Sequence, residues 1–277
     1  MIKDIILNLE TEKSRDSVCG YAISVAEAFD AHLAGVAFAG RGVVPSYFMP
    51  GVPPYVLDDV LRDSNQQAAA ALERFEAAAK RSALSVECRL DTENGFSPAQ
   101  SFSTMARRFD LSIIMQSDDT NGPANDLLIE AALFDSGRPM IVVPYIQKGG
   151  LKVERIVCCW DGSSAAARAI NDSLPILRRA ALVELFIVTN EKTKGGNEFR
   201  GADMANHLAR HDVKVEMTAL PGADSDVANV ILSHVADCGG DMLVMGGYGH
   251  SRLHEFILGG ATRGILATMT VPVFISH

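Results

Sequence analysis

Asp241-Met242-Leu243-Val244-Met245 runs straight into Gly246-Gly247-Tyr248-Gly249-His250, and after Ser251 to Leu258 the chain continues Gly259-Gly260-Ala261-Thr262. The first five residues read as a short strand that is apolar on both faces, the pattern of a strand buried inside a parallel sheet. Glycine at 246 and 249 lets the backbone turn sharply and lets another group approach the main chain. From Ala261 to Leu266 the sequence reads as the start of a helix whose first amides open toward the same loop. A glycine-rich turn between a parallel strand and a helix N-terminus is an anion-binding arrangement. Two familiar phosphate motifs do not fit: the Gly-Lys-Ser/Thr ending of a Walker A loop is missing, and a GxGxxG begun at Gly247 fails at Arg252. The competing reading is structural, with glycines that only shape a tight strand-to-helix turn.

Outward from this loop the chain alternates two kinds of apolar pattern. Residues 2–9, 32–39, 86–90, 111–116 and 140–144 read as strands, and 14–31, 57–82, 98–109 and 127–134 as helices. Gln147-Lys148-Gly149-Gly150 reads as a linker, after which the order restarts. Strands are expected at 155–159, 182–189, 213–219 and 271–275, with helices at 164–179, 199–211 and 226–237. Alternation of this kind implies a parallel sheet covered on both faces. The restart is also a repeat. Ile5-Ile6-Leu7 aligns with Ile156-Val157-Cys158 at an offset of 151, Asp110 to Met115 with Asp241 to Gly246 at 131, and Pro139-Met140 with Pro272-Val273 at 133. The expected domains are residues 1–146 and 151–277.

The spacing Gly246-x2-Gly249-x9-Gly259, with the closing strand Val271 to Ile275, resembles the nucleotide loop and last strand of the universal stress protein family. In that family the loop ends in Gly followed by Ser or Thr; here Gly260 holds the last position. The resemblance covers nearly the whole chain and implies an α/β fold of two tandem domains. Each would be a five-stranded parallel sheet of order 3-2-1-4-5 flanked by helices. The two would pair through their fifth strands, an intrachain pseudo-dimer open to further homodimerisation. The implied ligand is ATP or another adenine nucleotide, with or without Mg, in the C-terminal half. The residues so implicated are Cys159, Trp160, Asp161, Val188, Met245, Gly246, Gly249, His250, Gly259, Gly260, Ala261 and Thr262. Asp161 ends the first strand of its half, where open parallel sheets bind ligands; its other reading is an N-cap for the following helix. Trp160 reads equally as core or as a wall of the base pocket, and Val188 enters by family position alone.

Under the same registers the first half carries different chemistry. Met115 stands for Gly246, Asp118 for Gly249, Asp126 and Leu127 for Gly259 and Gly260, and Glu10 for Asp161. A like-charge pair about 5 Å apart costs about 3 kcal/mol at an effective dielectric near 20. That matches one charge-assisted hydrogen bond, roughly 1.5–3 kcal/mol. The first half is therefore expected to reject a nucleoside polyphosphate. The Pro- and aromatic-rich loop from Pro45 to Tyr55 reads either as the lining of an apolar pocket or as a packing surface.

Composition sets the remaining bounds. The 277 residues suffice for two domains of roughly 100–200 residues. A net charge of −9 argues against nucleic acid and anionic membranes as partners. No apolar run approaches the roughly 20 residues of a membrane span. Lys3, Asp4 and Glu10 interrupt any signal-peptide reading of the first residues. The five cysteines show no C-x-x-C spacing, which suits free thiols in a reducing, cytoplasmic setting. His207/His211 and His250/His254 are each four apart, but neither pair has an evident third ligand, so no metal site is expected. There is no G-x-S-x-G elbow and no assignable acid/base pair. By resemblance, slow nucleotide hydrolysis is the most that is implied. The functional expectation is a cytoplasmic stress-response protein that binds an adenine nucleotide. The alternative is one that works through protein contacts or an apolar ligand in its N-terminal half.

Overall fold

The computed structural model describes residues 1–12, 17–39, 54–82, 84–92, 97–117, 122–189, 197–222, 227–247 and 260–277. In the first half these form β1 (Asp4–Asn8), α1 (Ser17–Phe29), β2 (His32–Phe38), α2 (Pro54–Arg81), β3 (Val86–Asp91), α3 (Pro98–Ala106), β4 (Leu111–Met115), α4 (Gly122–Asp135) and β5 (Met140–Val143). The second half repeats the order with β6 (Arg155–Cys159), α5 (Ser164–Leu177), β7 (Leu182–Thr189), α6 (Asn197–Arg210), β8 (Val215–Pro221), α7 (Val227–Cys238), β9 (Met242–Gly246), α8 (Gly260–Thr268) and β10 (Val273–Ser276).

The ten strands make one sheet of order β3-β2-β1-β4-β5-β10-β9-β6-β7-β8. Each half therefore keeps the order 3-2-1-4-5. The halves join through their fifth strands, where Val273, Phe274 and Ile275 pair antiparallel with Val142, Ile141 and Met140. Every other pairing is parallel. Joining two fifth strands removes two sheet edges at once. The outer strands β3 and β8 keep charged or interrupted sequences, with Glu87, Arg89 and Asp91 on one and Glu216 and Pro221 on the other. Pro221 is tolerated because an edge strand needs only one row of hydrogen bonds. β8 starts at Val215 rather than at the expected 213, leaving Val213 as a buried approach to the strand.

Helices α1, α2, α5 and α6 cover one face of the sheet, and α3, α4, α7 and α8 the other. Inner strands such as β4 (LSIIM) and β5 (MIVV) are buried along their whole length, as continuous apolar runs require. Phe102, Phe186 and Phe274 are essentially inaccessible, each stabilising the fold by about 1.5–3 kcal/mol through burial. No helix among the described residues is long and apolar enough to cross a membrane.

The duplication holds down to single hydrogen bonds. Oδ2 of Asp110 accepts the N–H groups of Lys3 and Asp4 at 2.8 and 3.1 Å; Oδ2 of Asp241 accepts those of Glu154 and Arg155 at 2.9 and 3.0 Å. Leu9 N–H bonds to Val36 O as Trp160 N–H does to Phe186 O. Another expected boundary moves. α4 begins at Gly122 rather than 127, with Pro123 at its second position, where its fixed φ suits a helix start. Asp126 thus lies in the second turn of α4 and not at its tip.

Candidate functional site

Strand β6 is flanked by β9 on one side and β7 on the other, so strand order reverses at its carboxyl end. Ligands of open α/β sheets bind at such a reversal. Cys159, Trp160 and Asp161 leave the sheet there. Asp161 is exposed, and its Oδ1 accepts the N–H of Ser163 at 2.9 Å. Gly162 between them has φ 79, a conformation that suits glycine. The N-cap of α5 is Ser163, whose hydroxyl accepts the N–H of Ala166 at 3.1 Å. Asp161 is therefore not the cap. It braces the turn with one oxygen, and among the described residues the other accepts no hydrogen bond. Cys159 is half-buried, and burial followed by the charge of Asp161 pushes its thiol well above the usual range.

Gly246, at the end of β9, has an observed reason to be glycine. A Cβ there would sit 2.4 Å from the backbone nitrogen of Ala166 and 2.5 Å from the carbonyl carbon of Ala165. The first turn of α5 thus rests directly on the end of β9, bringing the turn after Asp161 near Gly246. Gly260 opens α8 and is exposed, with nothing within 4 Å of an added Cβ. Ala261 is half-buried and Thr262 buried. Met245 is buried on the α7/α8 face, and Val188 packs near Gly222, whose added Cβ would lie 2.6 Å from Val188 Cγ1. Gly249, His250 and Gly259 lie outside the described residues, as do Asp118, His254 and most of the Pro45–Tyr55 loop.

Trp160 is 9% exposed, and its indole N–H is buried without a hydrogen-bond partner. Its ring lines an open cleft of about 440 Å³ with Asn171 of α5 and Asp203, Met204 and His207 of α6. His207 Nε2 lies 3.1 Å from Asn171 Oδ1, and His211 lies against Arg178, so this histidine pair ties α6 to α5. Burial, then His211 and Arg210, lowers the His207 pKa.

In the first half the matching carboxylate points inward. Glu10 is buried, and its Oε1 accepts amide protons from Asn8 at 3.3 Å and from Asn125 at 3.1 Å. Asn125 also donates to Met115 O at 3.4 Å, and Arg74 donates to the carbonyls of Glu10 and Thr11. Asn8, Arg74 and Asn125 escaped the sequence reading. Asn8 and Asn125 are polar residues within or beside apolar runs, which was the one available signal.

Residues 152–277 match the model of the universal stress protein family. The whole chain is similar in fold to a universal stress protein from Archaeoglobus fulgidus DSM 4304. That match has 14% identity and a TM-score of 0.69, covering 98% of this chain and 97% of that one. It is similar too to a functionally unknown protein from Pseudomonas aeruginosa PAO1, with 14% identity and a TM-score of 0.63, covering 99% and 92%. No curated protein matches the chain in sequence.

Proposed function

We propose a nucleotide-binding role from one premise: this chain belongs to the universal stress protein family through its residues 152–277. Its C-terminal half binds ATP or another adenine nucleotide at the carboxyl end of β6, and the N-terminal half does not. The two units, residues 1–146 and 151–277, act together as a pseudo-dimer within one chain, in a cytoplasmic stress response. The observation that carries this reading is the contrast at the strand-order reversal. Asp161 is exposed and Gly260 leaves open space at the first turn of α8, whereas Glu10 is buried and shared by two amides.

The residues fit the proposed ligand. The amides of a helix start face a region that no side chain at position 260 fills, which suits an anion. Asp161 has an oxygen free for a ribose hydroxyl. Gly249 and His250 join by spacing, and Cys159, Trp160, Val188 and Met245 form the surrounding walls. Mg would serve as the counter-ion of the phosphates.

Mass spectrometry of small molecules released from freshly purified full-length protein tests the reading, followed by calorimetric titration of the stripped protein with ATP. Release of an adenine nucleotide and one binding event per chain support it. A chain that yields no nucleotide and gives no heat with ATP overturns it.

A further inference from the structure

At the opposite edge of the sheet, where β6, β7 and β8 begin, a second polar cluster is buried. Glu184 of β7 is 2% exposed. Helix α7 lays His234 and Cys238, four residues apart and so on one face, over it. His234 Nε2 lies 2.8 Å from Glu184 Oε1, and one ligating atom from each of the three residues lies within 4.8 Å of the others. The His234 ring stacks flat on Phe186, with centroids 4.1 Å apart and planes 6° apart, which fixes its orientation. The other oxygen of Glu184 accepts from Arg155 Nη1 at 3.0 Å, and the same nitrogen lies 3.0 Å from Glu216 Oε1. The first half has no counterpart. With Val36 matched to Phe186 by the equivalent hydrogen bonds they accept, and at the offset of 131 for the helix, Ala34, Ser103 and Arg107 stand in the three places.

We infer that Glu184, His234 and Cys238 form a site for one divalent cation of the zinc class, with a fourth position open to water. An oxygen, a nitrogen and a sulfur donor in tetrahedral reach suit Zn²⁺ or Co²⁺, and disfavour Ca²⁺ and Mg²⁺, which take oxygen ligands. Ligand bonds of roughly 2.0–2.3 Å place neighbouring donors roughly 3.4 Å apart, so the His234–Glu184 pair opens slightly to admit the ion. Arg155 and the stacked Phe186 are the outer groups that orient the carboxylate and the imidazole. Charge balances: two carboxylates and a thiolate offset the divalent ion and the guanidinium. On binding, the Cys238 thiol proton leaves to solvent. The proton on His234 Nε2 is displaced, shifting to Nδ1 or also leaving, so affinity falls as pH falls. A bound ion clamps α7 onto β7.

Titration of full-length, chelator-treated protein with Co²⁺ alone tests this. One equivalent is expected to give visible d–d bands and a near-ultraviolet sulfur-to-cobalt charge-transfer band. That band is lost in Cys238→Ser and persists in Cys88→Ser, the exposed cysteine elsewhere. His234→Gln weakens Co²⁺ binding at least about ten-fold. A second measurement needs no variant: Zn²⁺ slows alkylation of Cys238, read by peptide mass spectrometry. Absence of the band, a band that survives Cys238→Ser, or alkylation of Cys238 at an unchanged rate in Zn²⁺ overturns the site.

Discussion

At the end of β1, Glu10 turns inward and shares its carboxylate with Asn8 and Asn125; at the end of β6, Asp161 stays in solvent and braces Ser163. The strands around these two acids share register, order and even the aspartate that ties the sheet together. What differs is what the neighbouring strand offers. β4 ends in Met115, wholly buried, while β9 ends in Gly246, on which the first turn of α5 sits. One backbone plan can thus turn the acid at this strand end inward or outward through a handful of side chains.

Four experiments break or sharpen that contrast. The largest effect is expected from Gly246→Met, which writes the first half's residue into the second. Its Cβ would meet backbone that cannot swing aside, so a loss of at least about 3 kcal/mol is expected in urea unfolding. Tolerance within about 1 kcal/mol would mean that α5 does not rest on β9 as described.

Gly249→Asp copies Asp118 into the loop instead. Affinity for ATP is expected to fall at least about 100-fold, roughly 2.7 kcal/mol, with circular dichroism unchanged. Calorimetry on the parent chain should give one site. Two equivalent sites, or a folded variant of unchanged affinity, would erase the functional difference between the halves.

Gln116 tests the asymmetry of the join. From the end of β4 its amide donates to the carbonyls of Leu266 and Ala267, the last turn of α8, at 2.8 and 3.2 Å, and its Oε1 accepts from Tyr145 N–H. Its counterpart is Gly247, against which Leu133 of α4 packs instead. Gln116→Leu should cost about 2 kcal/mol, because it removes both bonds to the last turn of α8 and the acceptor of the Tyr145 N–H. An unchanged unfolding midpoint would show the two sides of the join to be equivalent.

Gly260→Ser gives the smallest change. The position is open, so a hydroxyl there can donate to a phosphate oxygen and tighten ATP about ten-fold, roughly 1.4 kcal/mol. Weaker binding would mean that the loop serves another ligand.

The succession of strands and helices along the chain and the repeat offsets were legible because each rests on local periodicity and on short buried runs, whereas the sheet order 3-2-1-4-5 came from the family resemblance. The start of α4 was not: Gly122-Pro123 reads as a turn when only the apolar residues from Leu127 onward are counted. The packing role of Gly246 was invisible for a different reason, since Ala165 and Ala166 lie eighty residues away and no spacing rule links them. Glu10 was placed in register, but its burial depends on Asn125, a partner 115 residues on. A separation of 50 residues likewise hid the grouping of Glu184 with His234 and Cys238, which only the crossing of α7 over β7 creates.

The antiparallel seam also has a consequence for synthesis. Val142 and its partner Val273 are 131 residues apart. At roughly 5–20 residues per second, the ribosome leaves β5 as a bare edge for on the order of ten seconds before β10 exists to cover it. The first half, complete in its own five strands, must wait through that interval with Met140 to Val143 unpaired on one side. A second nascent chain on the same message offers an identical strand in the meantime, so slower synthesis is expected to raise the share of seams closed between molecules, a share that sizing of the purified protein reads directly.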